Sequence, residues 1–216
     1  MTRQILVTSA LPYANGHIHL GHLVEYIQTD IFVRFQRMRG HRVAYMCADD
    51  THGTAIMIRA EKEQRTPEEL IAEMSEAHQR DFAAFGISFD HYGSTNSETN
   101  RQVANDIWSQ LQARGLIAQR AVPRLFDEQK QMFLADRFVK GTCPKCNAPD
   151  QYGDACESCG ATYPATELIE PRSVFTDSAP VLKDSQQSFV ELAPLQDELT
   201  AWTQDSGALQ PEVANY

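Results

Sequence analysis

The sequence predicts an α/β fold over its first half and a smaller, cysteine-containing region after it. A short apolar run, Ile5–Thr8, precedes a long amphipathic run, and a second apolar run, Val43–Ala48, follows. Two strands joined by a helix pair in parallel with a right-handed crossover in almost all known folds, so this order predicts an open parallel sheet. From Leu116 the helical periodicity fades and two close pairs of cysteines follow, which indicates a different kind of structure.

The first predicted helix extends from about His19 to Arg39. Apolar residues recur along it at helical spacing, and Gly40 is the glycine that commonly follows a last helical turn. This apolar stripe consists of Leu20, Leu23, Val24, Ile27, Ile31 and Met38. The helix supplies the crossover between the two strands.

Two further helices are predicted before the third strand. The first covers Thr54 to about Glu63. The second has a strong start signal, because Thr66 can cap it, Pro67 suits its first position and Glu69 completes a capping box. We expect Gly86 to end this second helix.

The third strand is predicted at Ile87–Tyr92, where apolar and polar residues alternate. A capping box over Thr95–Glu98 then predicts a helix that runs to Arg114. Its inward face is expected to consist of Val103, Ile107, Trp108 and Leu111. Gly115 follows this helix, and we place a domain boundary near it.

Length and charge limit the classes of protein. The chain has 216 residues, a formal net charge of -10 and a pI of about 5.1, so it lacks the overall basic charge typical of nucleic-acid-binding proteins. No secretory signal is found, and no apolar run reaches the roughly 18 residues that span a membrane. We therefore expect a cytoplasmic protein with no membrane and no DNA partner. Paired cysteines in that compartment are metal ligands or redox groups more often than disulfides.

The stretch Ala10–His22, here called the ligand turn, links the first strand to the first helix and predicts a phosphate site. A helix N-terminus offers unpaired N–H groups and the positive end of a dipole. Gly16 and Gly21 allow a ligand to approach the backbone closely. His19 and His22 lie one turn apart on one helix face, where both can donate hydrogen bonds to phosphoryl oxygens.

The second ligand loop, Asp49–Gly53, follows the second strand and is expected at the same sheet edge. Alternatives remain at the ligand turn. His17 is interpreted as solvent-exposed or bound to a carbonyl, and a zinc site at His19 and His22 lacks a third ligand of obvious spacing. The turn matches neither a Walker loop nor a dinucleotide fingerprint, so a dehydrogenase is a distant hypothesis.

The four clustered cysteines have metal-ligand spacing. Cys143, Cys146, Cys156 and Cys159 form a C-x2-C-x9-C-x2-C pattern, in which each tight turn can aim two sulfurs at one ion. Two disulfides or a redox pair are the alternatives to zinc. A site closed by four thiolates has no open position, so one structural zinc per chain is predicted. Cys47 lies in a predicted buried strand and is interpreted as an inert core residue.

Several of these motifs together resemble one family. His19–His22 is similar to the HIGH signature of class I aminoacyl-tRNA synthetases, and the whole of Ala10–His22 resembles its methionyl-tRNA synthetase version. Asp49–Gly53 resembles the second ligand loop of that family. Phe138–Pro144, the cysteine cluster and Glu167–Pro171 are similar to its inserted connective-peptide domain.

The resemblance implies a ligase that activates methionine with ATP and magnesium to methionyl-adenylate and transfers the amino acid to tRNA(Met). His19 and His22 would be the catalytic residues at the ATP phosphates. Gly16 and Gly21 would complete the ATP site, with Gly21 next to the adenine. Methionine would be held by Ala10, Leu11 and Tyr13, and Asp50 would pair with its ammonium group.

The resemblance also implies a division into domains. Residues 1–115 would be the first half of a Rossmann-like catalytic domain with the HIGH-type motif. Residues 116–195 would be the inserted connective-peptide domain with its four-cysteine zinc knuckle. Residues 196–216 would begin a helical return to the catalytic domain.

One family signature, KMSKS, is not found in the 216 residues. We therefore expect the chain to be the amino-terminal portion of a longer enzyme, with the rest of the site beyond Tyr216, and to be inactive alone. A second hypothesis is a non-catalytic zinc-binding module that docks tRNA or a protein partner. Binding titrations with ATP and methionine, compared with a titration with tRNA, distinguish the ligase from the docking module.

Overall fold

The predicted strand–helix–strand unit is present. The computed structural model describes residues 2–205 and 207–214, and in it β1 (Gln4–Thr8), α1 (Leu20–Met38) and β2 (Arg42–Asp49) follow one another. β1 and β2 pair in parallel, with Ile5 opposite Val43. Parallel pairing puts the carboxyl ends of both strands at one sheet edge, so the segments that follow the two strands begin side by side.

Helices α2 (Thr54–Lys62) and α3 (Pro67–Ala84) also confirm the prediction. At the start of α3 the Thr66 hydroxyl accepts from the Glu69 amide at 3.2 Å, and the Glu69 carboxylate accepts from the Thr66 amide at 3.0 Å. This reciprocal capping box satisfies two N–H groups that the helix leaves without internal partners.

The third strand lies later than predicted. β3 is His91–Ser94 and pairs in parallel with β2, which gives the sheet order β1-β2-β3. The expected strand Ile87–Tyr92 overlaps it only at its end. The buried Ile87 belongs instead to the apolar core, so the alternation reflected burial rather than strand pairing.

Helix α4 (Glu98–Ala113) is present, but two expectations about it are wrong. Its cap is Ser97, whose hydroxyl accepts from the Asn100 amide at 3.2 Å, and not the box over Thr95–Glu98. Within the described part of the chain, three of the four side chains expected to point inward are exposed, while Leu111 is half-buried. Val103, Ile107 and Trp108 are 51%, 54% and 38% exposed.

The core of the first unit lies between the sheet and the helices. Tyr26 and Val33 of α1, Tyr45 of β2 and Phe82 of α3 are each at most 2% exposed and pack in one cluster. Tyr26 and Phe82 lie with ring centroids 4.5 Å apart, a tilted contact that adds to the burial of apolar area.

Much of the apolar stripe predicted on α1 is not in this core. Leu20, Val24, Ile31 and Met38 are between 60% and 79% exposed, whereas Leu23 is buried. Periodicity correctly predicted the helix, but within the described residues the buried side is rotated away from the stripe.

The second part of the chain is built mainly from antiparallel strands. Its two sheets have the orders β5-β4-β9 and β7-β6-β8. The strands are β4 (Ile117–Asp127), β5 (Met132–Phe133), β6 (Val139–Thr142), β7 (Gln151–Tyr152), β8 (Ile169–Ser173) and β9 (Val181–Val190). Two helices follow, α5 (Gln196–Asp205) and α6 (Pro211–Ala214).

The chain divides into two compact units, the first ending at Val103 and the second starting at Ala104. This division falls inside α4, and the predicted domains 1–115, 116–195 and 196–216 stay a prediction. Ser206, Asn215 and Tyr216 of the last segment lie outside the described residues. No helix of the described part of the chain has the length and apolarity that crossing a bilayer requires.

Asp127, at the end of β4, is a buried carboxylate held by hydrogen bonds. Oδ1 accepts from the amides of Gln129 at 2.8 Å and Lys130 at 3.0 Å, and Oδ2 accepts from the Thr176 hydroxyl at 2.7 Å. Burial opposes ionisation, but these donors and the Ser173 hydroxyl outweigh it and lower the pKa of Asp127 to about 2. Asp127 therefore joins two segments of the second unit as an anion.

Candidate functional site

The ligand turn and the second ligand loop are joined through their backbones. Tyr13 and Asp50 form a parallel bridge, in which the Ala14 amide donates to the Asp50 carbonyl at 2.8 Å and the Asp50 amide donates to the Pro12 carbonyl at 2.9 Å. The bridge continues the pairing of β1 and β2 past the ends of the strands. The two segments that the sequence predicted to share one edge therefore lie in direct contact.

His19 and His22 cap the N-terminus of α1. His19 Nδ1 accepts from the Gly21 amide at 3.1 Å, and His22 Nδ1 accepts from the His19 amide at 3.3 Å. The rings stack with centroids 3.9 Å apart. Because each Nδ1 accepts a hydrogen bond, each neutral ring carries its proton on Nε2, which is thus a donor for an incoming ligand.

His22 is kept neutral by its surroundings. Burial lowers its pKa first, the nearby His19 and His78 lower it further, and Glu25 opposes them. A neutral His22 preserves the Nδ1 acceptor that the helix cap needs. The absence of acidic residues from the first turn of α1 leaves the positive end of the helix dipole uncompensated.

Two glycines are required by close contacts at this site. A Cβ added to Gly21 would lie 2.9 Å from the His19 ring, so a side chain there would disturb the cap. Gly53 has a φ of +125°, and a Cβ added to it would lie 2.6 Å from the Tyr13 hydroxyl. Tyr13 therefore packs across the second ligand loop where only glycine fits.

The other predicted site residues differ in how many hydrogen bonds they already make within the protein. The Ala10 carbonyl accepts from the Tyr26 hydroxyl, and the Ala10 amide donates to Glu25 Oε1 at 2.6 Å. Leu11 is 43% exposed. The Asp50 carboxylate has no hydrogen-bond or ion-pair partner among residues 2–205 and 207–214, so it can receive a cationic group.

The sequence did not predict the residues that form hydrogen bonds with the two ligand segments and hold them in place. His78 contacts Asp49 and the Gly16 carbonyl, Tyr92 contacts Asp49, and Arg59 donates to the Asn15 carbonyl at 2.7 Å. One signal was present. Position 78 is four residues from both Met74 and Phe82, which puts a histidine on the buried face of α3.

The four clustered cysteines are suited to hold one metal ion. Their sulfur atoms all lie within 4.8 Å of one another. Cys143 Sγ is 4.0 Å from Cys159 Sγ, and Cys146 Sγ is 3.6 Å from Cys156 Sγ. Sulfurs placed tetrahedrally at the Zn–S distance would be separated by about 3.8 Å, so the spacing of the cluster is compatible with a tetrahedral ion.

The two halves of this cysteine cluster have matching turns. The Asn147 amide donates to the Cys143 carbonyl at 3.0 Å, and the Gly160 amide donates to the Cys156 carbonyl at 2.9 Å. Asn147 and Gly160 have φ values of 59° and 72°. Each turn thus closes with one left-handed residue, which glycine or asparagine adopts most easily.

Cys47 is buried outside this cluster, as its interpretation as a core residue requires. Burial raises the pKa of its thiol, and hydrogen bonds that include the Ser9 side chain oppose that effect. A raised pKa disfavours the reactive thiolate.

Comparison with known proteins gives one consistent result. The family described as tRNA synthetases class I (M) matches residues 5–216. The chain is 62% identical over 216 residues to a methionine–tRNA ligase of Rhodopirellula baltica, and 60% identical over 214 residues to methionine–tRNA ligase 1 of Sorangium cellulosum. These alignments cover 100% and 99% of this chain but 32% and 31% of the relatives, so the chain spans about a third of their length.

Solved structures share the fold. Mycobacterium tuberculosis methionyl-tRNA synthetase in complex with methionyl-adenylate matches 93% of this chain and 34% of its own, with a TM-score of 0.63 and 22% identity. The LeuRS–tRNA–LeuAMS ternary complex of Agrobacterium radiobacter matches 99% of this chain and 24% of its own, with a TM-score of 0.68 and 19% identity.

Proposed function

The chain belongs to the class I tRNA synthetases (M), and on that premise we propose that it carries the first part of the active site of a methionine–tRNA ligase. The complete enzyme activates methionine with ATP and transfers it to tRNA(Met) in the cytoplasm. The observation that carries the proposal is the Tyr13–Asp50 bridge. It joins the ligand turn, whose two histidine donors cap the N-terminus of α1, to the loop that carries a carboxylate without a partner among the described residues.

The N-terminus of α1 binds the phosphates of ATP. A methionine carboxylate oxygen attacks the α-phosphorus, the bond from phosphorus to the bridging oxygen breaks, and pyrophosphate leaves. Negative charge grows on the phosphoryl oxygens during this step, and donors already aimed at them lower the barrier. The free Nε2–H groups of His19 and His22 are such donors, while Gly16 and Gly21 keep the backbone accessible.

Residues at the bridge and beside it bind methionine. Asp50 pairs with its ammonium group, since a carboxylate without another partner gains a charge-assisted hydrogen bond. Leu11 and Tyr13 contact the amino acid beside it. The Ala10 carbonyl and amide are both bound to α1, so Ala10 acts by shaping the backbone here.

The four cysteines hold one zinc ion, which closes the knuckle and has no open position for a substrate. Magnesium enters with the ATP phosphates. No KMSKS string occurs in this sequence and the chain spans about a third of the length of its relatives, so residues outside the 216 would complete the ATP site.

A chimera tests the function. Residues 1–216 of this chain replace the matching residues of the Rhodopirellula baltica relative, and methionine-dependent ATP–pyrophosphate exchange is measured. We expect exchange close to that of the parental enzyme from the chimera and none from the 216-residue chain alone. A folded, metal-loaded chimera without exchange would contradict the proposal. Binding of tRNA by the chain without any binding of ATP or methionine would favour a docking module.

A further inference from the structure

His78 of α3 is a fully buried histidine with both ring nitrogens in hydrogen bonds. Its exposure is 0%. Nδ1 lies 2.6 Å from Asp49 Oδ1, and Nε2 lies 2.7 Å from the Gly16 carbonyl oxygen. Gly16 belongs to the ligand turn, and Asp49 is the last residue of β2 and the first of the second ligand loop, so a single side chain of α3 contacts both ligand segments.

The partners determine which hydrogens the ring carries. A carbonyl oxygen only accepts, so Nε2 carries a hydrogen and donates it to Gly16. Asp49 Oδ1 also accepts from the Tyr92 hydroxyl at 2.6 Å. When the Asp49 carboxylate is ionised it only accepts as well, and Nδ1 then donates to it. In that arrangement both ring nitrogens carry hydrogens, and His78 is an imidazolium paired with a carboxylate.

The surroundings favour this charged state. Asp49 is 0% exposed, and its Oδ2 is buried without a partner among the described residues, so His78 and Tyr92 alone compensate the carboxylate. A buried charge is costly unless it is paired. Burial lowers the pKa of His78, but the contacts with Asp49 and Gly16 and the nearby Asp81 outweigh it and raise that pKa.

We propose that His78 is a positioning residue: as an imidazolium it fixes the turn that carries His19 and His22 relative to the loop that carries Asp50. This inference rests on the proposed function for its catalytic consequence, but its structural part stands alone. The charge of His78 also disfavours protonation of His22, which keeps the cap of α1 intact.

The protonation state is tested by nuclear magnetic resonance on the 216-residue chain with 15N-labelled histidine, with His78→Asn assigning the signal. We expect hydrogens on both ring nitrogens at about pH 7, where an ordinary histidine is mostly uncharged. The groups facing the ring are Asp49 on β2, Tyr92 on β3, His22 on α1 and Asp81 on α3 itself. A His78 ring with one hydrogen at about pH 7 would overturn the proposal.

The positioning role is tested by amide hydrogen exchange in the same chain. His78→Asn keeps a donor near the Nδ1 position and loses the Gly16 contact, whereas His78→Gln keeps a donor near Nε2 and loses Asp49. We expect faster exchange in the ligand turn for His78→Asn and in the second ligand loop for His78→Gln. His41→Asn is the control, because His41 lies just before β2 and contacts Arg3 rather than either ligand segment. Unchanged exchange in both His78 variants would overturn the positioning role.

In the chimera, the same variants should raise the KM for both ATP and methionine and lower kcat/KM roughly 10- to 100-fold, as small misplacements of reacting groups do. A kcat/KM equal to that of His41→Asn would show that His78 does not contribute to catalysis. An inactive unsubstituted chimera would instead contradict the proposed function, while the ring hydrogens and the amide exchange would still decide the role of His78.

Discussion

If the four cysteines hold zinc as proposed, removal of one of them is expected to lose the ion and loosen the surrounding knuckle. In Cys143→Ala, a buried ligand is replaced by a methyl group. Two of the sulfur separations, 3.6 Å and 4.0 Å, bracket the tetrahedral value of about 3.8 Å, and all lie below 4.8 Å, so all four cysteines are expected to contribute to the binding energy. A quarter of the roughly 10–16 kcal/mol of a structural zinc site is about 2.5–4 kcal/mol, or an affinity loss of about 10²–10³-fold.

The assay is zinc content by elemental analysis together with competition against a chelator. We expect about one zinc per chain in the unsubstituted protein and substoichiometric zinc in Cys143→Ala, with faster amide exchange within 116–195. Cys47→Ala is the matched control, because Cys47 is also buried but lies outside the cluster. Full zinc content and unchanged chelator resistance in Cys143→Ala would refute the assignment, and so would an intact unsubstituted chain without metal.

Three further outcomes are expected. His22→Ala in the chimera should slow pyrophosphate exchange by roughly 10²–10³-fold, the usual loss for one transition-state donor, and an unchanged rate would remove His22 from the site. In the same chimera, Asp50→Asn should raise the KM for methionine and leave the KM for ATP nearly unchanged. Steady-state kinetics in which both KM values rise equally would contradict the pairing of Asp50 with the ammonium group. Asp127→Asn should destabilise the 216-residue chain at about pH 7, as urea unfolding measures. Since the pKa of Asp127 is lowered to about 2, its contribution is present above about pH 4 and fades as the pH falls through about 2, so a pH-independent difference would contradict it.

Local sequence signals predicted the elements that depend on near neighbours. Thr66 and Glu69 form their capping box whatever lies around them, because each satisfies the other's backbone amide. The spacing of the cysteines likewise set the two tight turns that point four sulfurs at one centre. Strand, turn and helix followed each other as apolar periodicity predicted.

Apolar periodicity did not correctly predict which side chains of a helix are buried. Ile107 and Trp108 recur at helical spacing and were expected inward, yet both are exposed on α4. Val24 and Ile31 on α1 behave in the same way. The pattern reports that these side chains favour burial, but the described part of the chain supplies no element that buries them.

The sequence by itself determined the strand–helix–strand order, the ligand turn and the metal spacing, because these depend on residues a few positions apart. Tertiary structure alone decided that His78 meets Asp49, 29 residues away, and Gly16, 62 residues away. That contact needs the parallel sheet to bring both loops to one edge and the packing of α3 beneath them. The physical reason is that helix caps and turns are local hydrogen-bond problems, whereas a buried charge has to find its partners across the whole fold.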